Sequence, residues 1–114
     1  MPTFEDVRRI SLGLPEAEEI LTWETDLTFR VRGKIFAIGG EGATHVSIKA
    51  RPDRQSELID LDPVTLASSA YVGRFGWTTV DLERVDLELL ASLLRGAWRL
   101  TAPKRLLPTL EPDA

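Results

Sequence analysis

Six basic side chains in the second quarter of the chain are the residues best suited to chemistry. They are Arg30, Arg32, Lys34, Lys49, Arg51 and Arg54. The first three surround a glycine in the stretch TFRVRGKIFAIGG, residues 28–40. Arginine and lysine spaced along strands can neutralise the phosphates of a nucleic acid. Alternate basic residues on a half-exposed strand also keep a sheet edge from pairing with other chains, and the sequence leaves both interpretations open.

A second basic block precedes the C-terminus. Residues 89–105 contain no acidic residue and four basic ones, Arg95, Arg99, Lys104 and Arg105. Arg95 and Arg99 lie one turn apart near the end of a predicted helix, where the helix dipole favours cations by roughly 0.3–1 kcal/mol. If the two blocks met in the folded protein, they would form a stripe able to neutralise several phosphates. All ten residues are therefore candidate nucleic-acid contacts.

The overall charge opposes that hypothesis. The 114 residues carry a net charge of −4, whereas a nucleic-acid-binding domain is expected to be basic. The charge is nevertheless segregated along the chain. Residues 1–26 and 57–88 each sum to −5, and residues 27–56 and 89–105 each sum to +4. Any phosphate contact must therefore come from the two basic blocks.

Residues for catalysis are few. The absence of cysteine excludes disulfides, thiolate zinc sites and cysteine nucleophiles. His45 is the only histidine, and the predicted strand around it places it on a polar surface. No serine stands in a Gly-x-Ser-x-Gly turn, and the glycines of AIGGEGAT lead into a strand without the Lys-Ser/Thr of a phosphate loop. The sequence therefore predicts a protein that is not an enzyme, with no catalytic residue and no cofactor.

Two acidic clusters have the residue type that binds hard cations. The first comprises Glu16, Glu18, Glu19, Glu24 and Asp26, and the second comprises Asp60 and Asp62. Neither matches the spacing of an EF-hand loop or the Glu-x-x-His pair of a di-iron bundle. We expect a solvated acidic surface and no metal.

Strands must position most of the first basic block. The alternation of apolar residues predicts strands Leu27–Arg32, Lys34–Ile38 and Thr44–Ala50, with Arg30 and Arg32 on the face opposite the core. A further strand is predicted in WTTVDL, residues 77–82. The polar face of the third strand carries His45, Ser47 and Lys49.

The turn around Gly33 has two possible registers. A tight turn would pair Val31 with Phe36 and bury both, whereas a three-residue loop would bring Ile35 and Ala37 to the core face. The sequence does not decide between them. The three tryptophans, Trp23, Trp77 and Trp98, are expected to anchor the core or its rim.

Helices are predicted before, between and after the strands. The first runs from its cap at Thr3 to Leu12, and the acidic stretch PEAEEILTWETD then connects it to the first strand. Further helices are predicted from Pro52 to Asp60, over Val64–Ser69 behind a cap at Asp62, and over residues 86–99 behind a cap at Asp86. Pro103 is expected to end the ordered chain.

This order of elements predicts an α+β fold. We expect two layers, with an antiparallel β-sheet and N-terminal, middle and C-terminal helices packed beside it. The length allows one domain, residues 1–106, followed by a flexible tail, residues 107–114. No apolar run approaches the roughly 20 residues of a membrane span, and MPTFEDVRRI is not a signal peptide. A cytoplasmic location without a membrane partner is expected.

Four stretches together resemble the MmcQ/YjbR family of small bacterial proteins. They are LGLPEAEE, TFRVRGKIFAI, YVGRFGWTTVDL and the closing WRLTAPKRL. The resemblance covers roughly residues 4–106. Where the family usually has Ser-Tyr near the end of the last helix, Ala97 and Trp98 stand here. That replacement keeps an aromatic ring and removes two hydroxyls.

The resemblance implies a two-layer fold akin to the CyaY/frataxin-like arrangement and a DNA-binding role in which hairpins act as paired wings. It implies no catalytic residues. Two alternatives remain open. One is a protein-interaction module that uses the sheet face or an edge strand against a partner chain. The other is a metal-binding acidic ridge, suggested by the frataxin-like fold.

Overall fold

A computed structural model describes residues 1–22, 25–70 and 73–110 of the chain. Its helices are α1 (Phe4–Leu12), α2 (Pro52–Leu61) and α3 (Leu87–Thr101). Short 3₁₀ helices cover Gly73–Phe75 and Lys104–Thr109. The predicted N-terminal, middle and C-terminal helices are therefore confirmed.

Six strands form one antiparallel sheet. They are β1 (Ala17–Thr22), β2 (Asp26–Val31), β3 (Lys34–Gly39), β4 (His45–Lys49), β5 (Leu66–Ser68) and β6 (Trp77–Asp81). Their order across the sheet is β1-β2-β3-β4-β6-β5, and every neighbouring pair is antiparallel. The α+β class predicted from the sequence is confirmed.

The core lies between one face of this sheet and the helices. α3 packs on β3 and β4 and also against α1, while α2 packs on β5 and β6. The alternation predicted for β2 and β4 is confirmed, since Phe29, Val31, Val46 and Ile48 are all buried. No helix of the described chain covers the opposite face, which we call the open face.

The hairpin between β2 and β3 turns on two residues, Arg32 and Gly33. Their φ angles are 51° and 80°, so both adopt the left-handed conformation that a two-residue hairpin turn requires. Val31 pairs with Lys34, and a bulge follows in β3. The bulge lets Phe36 and its neighbour Ala37 both point into the core. The observed register combines features of the two that the sequence left open, because Phe36 and Ala37 are buried and Ile35 is half-buried.

Two predicted segments form strands instead. The acidic stretch after α1 forms edge strand β1, in which half-buried Glu19 lies between exposed Glu18 and Ile20. The predicted helix Val64–Ser69 is replaced by β5. The Asp62 carboxylate accepts from the Thr65 amide at 3.2 Å, which closes a turn after α2 and leaves the next residues to pair with β6.

The chain also stays ordered beyond Pro103. Leu106 of the second 3₁₀ helix is buried, and Leu107 and Leu110 pack against the core. These leucines carry the ordered structure through the first residues of the predicted tail. The remainder of that tail, residues 111–114, lies outside the described residues.

The helix caps agree with the sequence. The backbone amide of Thr3 donates to the Asp6 carboxylate at 2.8 Å, and the Asp86 carboxylate accepts from the Leu89 amide at 2.7 Å. Each cap satisfies a backbone group at a helix start that would otherwise lack a partner within the helix.

The aromatic anchors are confirmed in part. Trp98 is completely buried and Trp77 is half-buried. Predictions for Trp23 and Glu24, and for residues 71–72 of the loop before β6, lie outside the described residues.

Candidate functional site

Antiparallel pairing gathers most of the first basic block at one end of the sheet. β2 ends where β3 begins, and β4 runs antiparallel to β3, so that Arg32, Lys34 and Lys49 all lie toward that end. Arg51 directly precedes α2 and Arg54 lies in its first turn. Strand direction therefore brings together residues that lie up to 24 positions apart in the sequence.

The second basic block reaches the same end. Arg99 of α3 shares a groove with Lys49, Arg51 and Arg54. Arg105 is close enough to Glu16 to help lower the pKa of that carboxyl.

We call this set the basic end. It comprises Arg30, Arg32, Lys34, Lys49, Arg51, Arg54, Arg99, Lys104 and Arg105. Lys104 is exposed beside Arg105.

Arg95 does not belong to the basic end. It lines a shallow depression with Arg9, Ile10 and Glu88, between α1 and the first turns of α3. Although Arg95 lies one helical turn before Arg99, it lines a different depression from the groove that contains Arg99.

Three arginines of the basic end pair with carboxylates. Arg32 forms a bidentate ion pair with Glu16. The distance is 2.7 Å from Nε to Oε1 and 3.1 Å from Nη2 to Oε2. This contact lowers the pKa of Glu16 and raises that of Arg32. The other two pairs, Arg51–Asp53 and Arg54–Glu57, are each 3.3 Å long and exposed. Exposed ion pairs contribute roughly 0–1 kcal/mol, so a phosphate can compete for these guanidinium groups.

Arg30 is held differently, by hydroxyls. Its Nε donates to the Thr28 hydroxyl at 3.0 Å, and its Nη2 donates to the Thr22 hydroxyl at 3.1 Å. Thr28 in turn donates to the carbonyl of Ile20 at 3.0 Å. Arg30 forms no ion pair within the described part of the chain, and Glu18 is the acidic residue opposite it on β1.

A second hydroxyl group lies farther along the open face. Ser69 is within hydrogen-bond distance of Ser47 at 3.1 Å and of Thr79 at 2.9 Å. No motif in the sequence marks these hydroxyls, or those of Thr22 and Thr28, as features of a site. The outward position of Thr79 does follow from the alternation in WTTVDL.

The other end of the sheet is acidic. Asp26, Glu41 and His45 line a cavity of about 410 Å³ there. The exposed His45 side chain has its Nδ1 2.9 Å from the Thr44 hydroxyl and its Nε2 3.8 Å from the Asp81 carboxylate. No group of three or more histidine, aspartate or glutamate residues able to hold a metal ion occurs within residues 1–22, 25–70 and 73–110. The acidic ridge suggested as a metal site thus gains no support there.

Across the part of the chain that the structure describes, no helix combines the length and apolar character needed to cross a membrane.

Comparisons with known proteins agree with this fold. A family model described as YjbR matches residues 12–100. The chain is also similar to the crystal structure of Deinococcus radiodurans protein DR2400, which carries the family-model domain DUF419, with 27% identity and a TM-score of 0.79. That alignment covers 97% of this chain and 83% of the other. No curated protein matches the chain.

Proposed function

The chain belongs to the YjbR family, and from that premise we propose that it is a non-enzymatic, cytoplasmic DNA-binding protein whose basic end contacts backbone phosphates. The observation that carries the proposal is the meeting of two distant basic blocks at one end of the sheet. Arg99 shares a groove with Lys49, Arg51 and Arg54. Such clustering gives an acidic protein a local surface that attracts a polyanion.

Arg30 supports the proposal most directly. Its guanidinium is oriented by two threonine hydroxyls, and no ion pair of Arg30 occurs among the described residues, although Glu18 stands opposite it on β1. Because the hydroxyls position the guanidinium without forming an ion pair, the group remains available to a phosphate that approaches the open face. Phosphate contacts of this kind fix a protein on the duplex and carry no sequence information. We therefore expect binding to generic duplex.

The hairpin turn contributes a second kind of contact. Lys34 is exposed beside the turn, whereas Arg32 is already paired with Glu16. A phosphate at the turn must displace or share the Glu16 carboxylate to contact Arg32. We expect Lys34 to bind phosphate more readily than Arg32 because it has no ion pair among the described residues.

Fluorescence anisotropy with a labelled generic duplex, repeated over a series of salt concentrations, tests the proposal. If three or more phosphates are neutralised, the slope of log K against log salt is about −3 or steeper. The triple variant Arg30→Ala/Arg32→Ala/Lys34→Ala should bind more weakly and show a shallower slope. The matched control Arg9→Ala/Arg84→Ala removes cations outside the basic end and should change neither. Absence of binding even at low salt would contradict the proposal.

A second candidate function is protein interaction through the open face. The paired residues Ile20, Thr28, Ile38, Ser47, Thr79 and Ala67 form a row across all six strands. No member of this row is charged, and side chains without charge are favoured at the centres of protein interfaces. An Ala67→Glu variant, at the edge of the sheet far from Arg30, should weaken such an interaction and leave DNA binding by the basic end little changed.

A further inference from the structure

We propose that the groove between α2 and α3 binds a small amphiphilic anion, namely a carboxylate with an apolar chain or ring of about ten carbons. This groove has a volume of about 330 Å³. It combines an apolar floor with a cationic rim, and each part specifies one half of the ligand.

Leucines from both helices form the floor. Leu58 of α2 is 4% exposed and belongs to the core, while Leu93 of α3 is half-buried and packs against it. Leu100 is 43% exposed at the far end of the groove. A hydrocarbon chain lying on this floor would remove leucine surface from water, which is favourable by roughly 25 cal/mol per Å².

Gly96 keeps the groove open. It lines the groove in the middle of α3, and a Cβ placed there would meet nothing within 4 Å. Glycine in a helix interior is unfavourable relative to alanine. The backbone at Gly96 has an ordinary helical conformation and no close neighbour that excludes a side chain. The space that a side chain would occupy is available to a ligand.

Four cations line the groove, namely Lys49, Arg51, Arg54 and Arg99. Lys49 ends β4 and has no ion pair among the described residues, while Arg51 and Arg54 pair with exposed carboxylates at 3.3 Å. A ligand carboxylate can replace those partners at little energetic cost, because exposed ion pairs are weak. Arginine also offers a carboxylate two parallel hydrogen bonds. The rim is therefore complementary to an anionic head group.

The dimensions favour a small molecule over a macromolecule. Small-ligand sites have volumes of about 300–1,000 Å³, and the groove lies at the lower end of this range. A stable protein interface buries about 800 Å² on each partner, which far exceeds one short groove. A DNA backbone could contact the rim cations, but it has no long apolar segment to cover Leu58 and Leu93.

Isothermal titration calorimetry with decanoate and with decyltrimethylammonium tests the proposal, since both probes carry an unbranched alkyl chain of nine or ten carbons and differ in the charge of the head group. Decanoate should bind saturably at one site, and decyltrimethylammonium should not. A Lys49→Gln/Arg54→Gln variant should bind decanoate about tenfold more weakly. Arg84→Gln, which removes a cation at the acidic end, should leave the affinity unchanged.

The Gly96→Phe variant tests the location. Its ring should fill the groove and abolish decanoate binding, and circular dichroism establishes that the variant is folded. If the Gly96→Phe protein does not fold, the smaller Gly96→Leu substitution and the Lys49→Gln/Arg54→Gln variant test whether decanoate binds in this groove. Equal binding of both probes, no saturable binding of decanoate, or full affinity in a folded Gly96→Phe protein would each overturn the proposal. The assay contains no DNA, so its outcome is independent of the proposed function.

Discussion

The indole N–H of Trp98 donates to the carbonyl oxygen of Pro15 at 2.9 Å, across 83 positions of sequence. Trp98 is fully buried in α3, and Pro15 lies in the segment that leads into β1. The bond therefore attaches the last helix to the start of the sheet. It also gives the buried indole of Trp98 a polar partner.

Replacing Trp98 by Phe should destabilise the protein by about 1–3 kcal/mol. The variant leaves the Pro15 carbonyl without its partner and removes part of a buried ring system. Urea unfolding followed by circular dichroism measures the change. Trp77→Phe, at a half-buried position, serves as the comparison and should cost less. Equal losses in the two variants would show that the hydrogen bond contributes little.

Gly96→Ala should stabilise the protein by about 0.5–1 kcal/mol. Gly96 lies inside α3, and an added methyl meets no atom within 4 Å. Alanine lowers the conformational entropy of the unfolded chain and favours the helix. The midpoint of thermal unfolding reports the gain. A loss of stability would mean that the groove does not have the open shape described above.

Ser11→Ala should also raise stability, by about 1 kcal/mol. The Ser11 side chain is completely buried in α1, and its hydroxyl has no hydrogen-bond partner among the described residues. Removing an unsatisfied buried hydroxyl eliminates a desolvation penalty. Thr101→Val is the comparison variant, since it removes a buried hydroxyl that does have a partner. The Thr101 hydroxyl donates to the Ala97 carbonyl at 2.8 Å. That variant should lose stability in the same denaturation experiment.

Stability should fall in acid partly because Glu16 becomes protonated. Arg32 lowers the pKa of Glu16 below its usual value of 4.5 in the folded protein. Because this pKa is lower in the folded protein than in the unfolded chain, ionised Glu16 contributes to the free energy of unfolding. That contribution is fully present above pH 4.5 and is lost as the pH falls through the folded-state pKa. Asp6 and Asp62 also have lowered pKa values and act in the same direction.

A Glu16→Gln variant isolates this effect. Its free energy of unfolding should depend less on pH below 4.5 than that of the parent protein. Urea denaturation at a series of pH values measures both curves. Parallel curves throughout the acidic range would show that the Glu16–Arg32 contact does not persist in solution.

The sequence predicted those elements whose patterns are local. Leu27, Phe29 and Val31 alternate within one strand, and Asp86 directly precedes the helix that it caps. Edge strands β1 and β5 were not predicted from the sequence. Each is paired on one side only, so the fold tolerates acidic residues within β1 and a helix-capping residue shortly before β5. Their identity depends on β2 and β6, which lie elsewhere in the chain.

The sequence identified which basic residues could form the candidate site, but it could not predict which of them lie together in the folded protein. Strand direction and helix packing bring Arg99 to Lys49 and separate it from Arg95. No local pattern contains that information. The hydroxyls that hold Arg30 come from two strands, and Thr22 belongs to a strand that the sequence did not predict. The groove at Gly96 likewise depends on residues of α2 and α3 that lie far apart in the sequence.

Glu16 and Arg32 share one further property. They are the only residues other than glycine with a positive φ in the described part of the chain, at 56° and 51°, and they are bonded to each other. Glycine or asparagine would suit either backbone position better. The ion pair between them therefore favours glutamate at position 16 and arginine at position 32, although the backbone conformation at each position would favour glycine or asparagine. Among homologues we expect the two positions to covary, with loss of the acid at one accompanied by glycine or asparagine at the other.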